Sequence, residues 1–151
     1  FVPDTDLPHP KHCVDRKEWA KKVMAEARRG RKKNEFGHIL VFIHGFNNNQ
    51  KVVMERHRRL RADLEAAAFP GIVVSFDWPS GDFGAFYLED LKDAADGACQ
   101  LVKDGIMLLA DYQEPECTVN VHLLAHSMGA YVTRQAFSAA DDIDELIGRS
   151  W

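Results

Sequence analysis

The stretch "VNVHLLAHSMGAYVTRQAF", residues 119–137, joins two periodicities at a single serine. Apolar and β-branched residues dominate up to Ala125, as in a short buried strand. From Met128 onward, small and apolar residues recur at helical spacing. Ser127 stands at the junction, with Ala125 and Gly129 two places to either side. Strand and helix nearly touch at so tight a turn, so bulky flanking side chains would push them apart. A serine presented at such a bend is a candidate nucleophile, provided a base takes its proton. A plainer reading fits the same residues: Ser127 as a helix N-cap, with small neighbours there for packing.

Two earlier segments repeat the arrangement. "HILVFIH" (38–44) is a short apolar, β-branched run followed by "GFNNN", residues that tolerate turns and cap helices. Residues 51–68 then carry Val53, Met54, His57, Leu60, Leu64 and Ala67 at helical intervals, stopped by Pro70-Gly71. "IVVSFD" (72–77) is the second strand and "WPSGD" (78–82) its loop, with a helix expected from about Ala85 to Tyr112. "CTVNVHLLA" (117–125) is the third strand and residues 128–140 the helix after Ser127. Upstream, residues 1–14 read as an extended lead-in with Pro3, Pro8 and Pro10, and a helix runs from Asp15 toward Gly30. Strands alternating with amphipathic helices predict an α/β fold, a three-layer parallel sheet with helices on both faces. Ligands of such sheets collect outside the carboxyl ends of the strands. Three distinctive loops fall there: His44-Gly45-Phe46, Trp78-Pro79-Ser80 and Ser127.

The elbow would also place the Met128 N–H in the first turn of a helix, where unpaired donors and the helix dipole favour negative charge. A second donor has to come from a neighbouring loop. "HGF" suits it, because Gly45 permits close approach of the backbone and the Phe46 N–H can point at a substrate. His44 reads as a hydrogen-bonding brace of this loop rather than a base, and Asn47, Asn48 and Asn49 as loop-shaping and helix-capping residues.

Taken in order, "FIHGFNNN" (42–49), "SFDWPSG" (75–81) and "HLLAHSMGAYV" (122–132) resemble the alpha/beta-hydrolase superfamily, in particular a bacterial branch of unknown function. The resemblance spans roughly residues 36–140, and alanine replaces the first glycine of its G-x-S-x-G elbow. It implies that the strands are the family's third, fourth and fifth, with the third between the other two. It further implies that Ser127 is the catalytic nucleophile, that Phe46 and Met128 are oxyanion donors, and that His44, Gly45, Trp78 and Ser80 line the site. No cofactor or metal is called for, and the implied substrate is a small-molecule ester, with an amide or thioester as the alternative.

The same resemblance exposes a gap. The family's acid and histidine follow the serine, but all seven histidines lie at or before His126. Asp141, Asp142, Asp144 and Glu145 follow the elbow helix too soon for the acid position. Residues 15–151 are therefore expected to be a partial hydrolase domain, its acid and histidine outside the chain, with little turnover on its own. Residues 119–125 are as apolar as a strand buried on both faces yet would stand at the sheet edge, and a bare hydrophobic edge invites self-association. The alternative is a non-catalytic protein-interaction module on the same scaffold.

Composition narrows the partners. Net charge is −4 and the pI near 6.0, which disfavours nucleic acid as the main partner. Residues 1–66 nevertheless hold 15 of the 19 Lys/Arg against 9 acids, and "RRGRKK" (28–33) and "RHRRLR" (56–61) read as solvated helix faces. No apolar run approaches the roughly 20 residues of a membrane helix. Cys13, Cys99 and Cys117 are odd in number and widely spaced, which fits a reducing, cytoplasmic setting. A first residue of Phe1 leaves export open. His9, His12 and Cys13 lack a second ligand cluster, so no metal site is expected there.

Overall fold

The computed structural model describes residues 2, 6–32, 35–80, 87–112 and 118–147, without the side chains of 87–93 and 139–147. Within the lead-in, Pro10–His12 form a 3-10 turn where only extended chain was expected. Asp15 then starts α1 (Arg16–Ala27) by accepting from the Lys17 and Glu18 amides at 2.9 and 3.3 Å. Helix α1 buries Ala20, Val23 and Ala27, one stripe at helical spacing. Strand β1 spans Gly37–Ile43, and α2 spans Gln50–Ala66, opened by the Asn49 side chain, which accepts from the Val52 N–H. Strand β2 is Ile72–Phe76, α3 Tyr87–Gln100, α4 Met107–Asp111, β3 Val119–Ala125 and α5 Met128–Ile147.

The three strands form a parallel sheet in the order β2-β1-β3. Ile43 stands opposite both Phe76 and Ala125, so all three strands end level. The loops after them consequently open at one edge of the sheet. Ile39, Val41 and Ile43 face a core completed by Val23 and Ala27 of α1, Ala94 and Ala98 of α3, Leu109 of α4, and Val132 and Ala136 of α5. Helix α2 covers the opposite face. Phe42 and Ser75 are paired in register, and Ser75 Oγ lies 2.8 Å from His57 Nδ1 of α2. Helices thus lie on both faces, as the alternation of elements predicts.

Three expectations need correction. The helix foreseen up to Tyr112 contains a π-helical turn, Leu101–Ile106, between α3 and α4; its foreseen start at Ala85 lies outside the described residues. The turn keeps Leu101, Val102, Leu108 and Leu109 in the core. Helix α5 continues to Ile147, through the acidic segment that carried no clear pattern. The side chains of Asp141, Asp142, Asp144 and Glu145 lie outside the described residues, as do residues 81–82 of the second loop, Cys117 and residues 148–151.

Third, β3 is not buried on both faces. Its exposure alternates, with Asn120, His122 and Leu124 open to solvent on the α2 side. The His122 ring stacks on His38, with Nε2 and Nδ1 at 2.9 Å, while Leu124 stays 42% exposed. Among the described residues no further strand lies along the outer edge of β3. None of the described helices is long and apolar enough to cross a membrane.

Candidate active site

Ser127 sits between β3 and α5 with φ at 54°, in the left-handed region. An N-cap has extended backbone, as Asn49 shows with φ −73° and ψ 164°. The N-cap reading of Ser127 therefore fails on its backbone angle. Holding a non-glycine residue in this conformation costs roughly 1–2 kcal/mol, and the surrounding main chain imposes it. The His126 N–H donates to the Ile43 carbonyl at 3.0 Å, carrying the ladder one residue past the strand. The Gly129 and Ala130 amides then donate back to His126 and Ser127 at 3.0 and 2.9 Å, closing the first turn of α5.

Gly129 makes this junction possible. A Cβ there would lie 2.4 Å from the Ile43 oxygen and 2.6 Å from the His44 oxygen. The helix start is thus seated on the last carbonyls of β1. Gly45 approaches from the other side, where a Cβ would meet the His126 oxygen at 2.9 Å and Ser127 Cβ at 3.0 Å. The loop after β1 and the serine after β3 are in direct contact. Ala125, which replaces the first glycine of the elbow, pairs with Ile43 and is partly buried, so its methyl is accommodated.

The Ser127 side chain is exposed, and among the described residues its hydroxyl has no hydrogen-bond partner. Met128 is the first residue of α5. Its N–H and that of Phe46 have no backbone acceptor among the described residues. Two amides and a hydroxyl are therefore unspent where the strands end.

His44 is fully buried and lies behind the loop. Its Nδ1 lies 2.8 Å from the Gly45 oxygen, which can only accept, so Nδ1 carries a proton. Its Nε2 lies 3.0 Å from Asp77 Oδ1 and 3.2 Å from the Trp78 nitrogen. A ring with no exposed surface and both nitrogens engaged is a brace. Trp78 does not line open space either. It is 1% exposed, stacks on His44 at 5.5 Å and 8°, and donates from Nε1 to the His44 oxygen at 2.9 Å.

Ser80 is the part of the second loop that reaches the first. Its Oγ accepts from the Asn48 N–H at 3.3 Å and donates to the Asn48 oxygen at 3.2 Å. Asn48 is buried, and its Nδ2 donates to the Gly45 and Phe46 oxygens at 2.7 and 2.9 Å. Asp77 and the Asn48–Ser80 link have no signature in local spacing. Each joins residues more than thirty positions apart, and only the level strand ends bring them together.

No described histidine is hydrogen-bonded to Ser127. His126 is exposed, with Nδ1 against Gly45. His38 and His122 pair on the sheet, and His57 meets Ser75. Among the described residues no three His, Cys, Asp or Glu side chains stand together as a metal site.

The family model for "Alpha/beta hydrolase of unknown function (DUF900)" matches residues 20–143, and the chain belongs to this family. It matches no curated protein and no solved structure.

Proposed function

We propose that the chain carries the nucleophile and oxyanion hole of a serine hydrolase acting on small-molecule esters. Ser127 Oγ attacks the ester carbonyl carbon, and its proton passes to a base. The carbonyl π electrons move to oxygen, where the Phe46 and Met128 N–H groups receive the charge. Collapse of this intermediate expels the alcohol, which takes the proton from the base and leaves an acyl-serine. Water repeats the sequence to release the acid. The base in this scheme is a histidine oriented by a carboxylate, and among the described residues no histidine is hydrogen-bonded to Ser127. Each amide donor is expected to supply roughly 3 kcal/mol of transition-state stabilisation.

The observation that carries this reading is the backbone of Ser127. Its positive φ is energetically unfavourable, places the hydroxyl in solvent, and is held by contacts that also bring Gly45 against it. Strain of this kind concentrates at sites of chemistry. A non-catalytic interaction module gains nothing from it, since an ordinary N-cap would start α5 at lower energy.

The test is covalent labelling of the full-length natural protein with a fluorophosphonate, followed by peptide mass spectrometry. Modification at Ser127, lost in Ser127→Ala, is the expected result. A protein that hydrolyses esters but stays unlabelled at Ser127, or is inert to ester and probe alike, refutes the assignment.

A further inference from the structure

We infer that Asn48 is a positioning residue: its side-chain amide fixes the peptide that presents the Phe46 N–H at Ser127. The inference rests on the serine-hydrolase reading and adds to it a residue that never touches substrate.

The argument begins with the peptide unit. No described peptide bond is cis, so the Phe46 N–H points opposite to the Gly45 carbonyl across one rigid plane. Whatever holds that carbonyl aims that amide. Two donors hold it, His44 Nδ1 at 2.8 Å and Asn48 Nδ2 at 2.7 Å. Both lie on the interior side of the loop, since His44 is fully buried and Asn48 is 6% exposed. The Phe46 N–H is thereby turned away from the interior, on a loop whose Gly45 lies against Ser127 Cβ.

His44 alone does not suffice, because it constrains one peptide. The second proton of the Asn48 amide reaches the Phe46 oxygen at 2.9 Å, so a single NH2 group ties two successive carbonyls. Asn47, between Phe46 and Asn48, has φ at 55°, which lets the chain double back and bring Asn48 under the loop. Asn48 is itself clipped at both backbone groups by the Ser80 hydroxyl. The chemistry selects asparagine. Two carbonyl oxygens converge on one atom, so that atom must offer two protons; an aspartate oxygen there would face two acceptors. The orientation is fixed before substrate arrives, which is what an oxyanion hole requires of its donors.

The experiment compares the full-length wild-type protein with Asn48→Ala and Asn48→Asp. It measures kcat and KM on a short p-nitrophenyl ester. It also measures inhibition by a trifluoromethyl ketone, which forms a hemiketal oxyanion on serine, and by the matching neutral carboxamide. A misaimed donor lowers kcat by about 10- to 100-fold, short of the roughly 100- to 1000-fold loss on removing an oxyanion donor outright. KM and carboxamide affinity stay within about twofold, because ground-state binding does not use the developing charge. Trifluoromethyl ketone affinity falls in step with kcat, and Asn48→Asp falls at least as far. Folded variants that keep wild-type kcat, or lose both inhibitors equally, overturn the inference; the latter marks a merely structural residue.

A second measurement holds if the variants fail to fold. When wild-type Ser127 is phosphonylated, the Phe46 amide proton should move downfield, with the Asn48 side-chain protons still protected from exchange. An unmoved Phe46 resonance, or rapid exchange at the Asn48 amide, overturns the inference. The two readings fail differently. An unlabelled Ser127 removes the hydrolase reading and this one together, whereas a labelled Ser127 with unaltered Asn48 variants removes this one alone.

Discussion

Replacing Gly129 by alanine adds one methyl group where β1 meets α5. That Cβ would stand 2.4 Å from the Ile43 oxygen, 2.6 Å from the His44 oxygen and 3.0 Å from the Ile43 carbonyl carbon. Real Cβ contacts essentially never fall under 3.0 Å, and all three neighbours are backbone, so no rotamer change relieves them. Either α5 lifts from the strand or the end of β1 bends. Overpacking of this kind costs about 3 kcal/mol, the upper part of the usual range. For a domain of this size that corresponds to a fall in Tm of about 6–12 °C. Ser127 and Met128 move with the helix start, and a displacement of about 1 Å at reacting groups can lose 100-fold in rate. Gly30→Ala is the control. Gly30, unlike Gly129, has positive φ, 72°, but a Cβ there meets nothing within 4 Å, so only conformational strain of about 1 kcal/mol is added. Urea denaturation of both variants, with fluorophosphonate labelling rates, separates steric from conformational cost. If Gly129→Ala is no more destabilising than Gly30→Ala, the contact between helix start and strand end is not what the argument requires.

Ser127→Gly should stabilise the fold by about 1 kcal/mol while abolishing labelling, because glycine adopts φ of 54° without penalty; a destabilised variant in chemical denaturation would contradict the strain argument. Asn49→Ala removes the side-chain acceptor of the Val52 N–H and should cost about 1 kcal/mol, with no change in labelling rate at a temperature where the protein stays folded. Trp78→Ala empties a fully buried site and deletes the bond to the His44 oxygen, so a loss of about 3–5 kcal/mol is expected by denaturant titration. A loss under 1 kcal/mol would mean that the ring does not hold the loop in place.

What was legible in the sequence is what local chemistry dictates. The apolar runs mark three strands within a residue or two, and the helix expected from Asp15 and the capping asparagines before residue 51 fall at the starts of α1 and α2. The strand order came from resemblance, since no periodicity tells a strand which neighbour it will have. Five of the seven residues of β3 are apolar, as in a strand buried on both faces, yet Asn120 and His122, two apart, mark one face as wet. The π-helical turn was invisible, since its hydrogen-bond register departs from the period by which helices are recognised. At the site, the residue types at Gly45, Ser127 and Gly129 carried their own geometric meaning. The bonds of His44 to Asp77 and of Asn48 to Ser80 did not, because each spans a separation that only the folded sheet closes.

The meeting of Gly129 with Ile43 and His44, and of Gly45 with the His126 carbonyl, is main chain against main chain. Its dimensions are set by atoms common to every amino acid, so they are indifferent to most side-chain replacement nearby. A lineage of such chains is free to rework the walls around this point, admitting bulkier or more polar molecules, without moving the hydroxyl at its centre. The tolerance ends at the two glycines, where even one added carbon has nowhere to go.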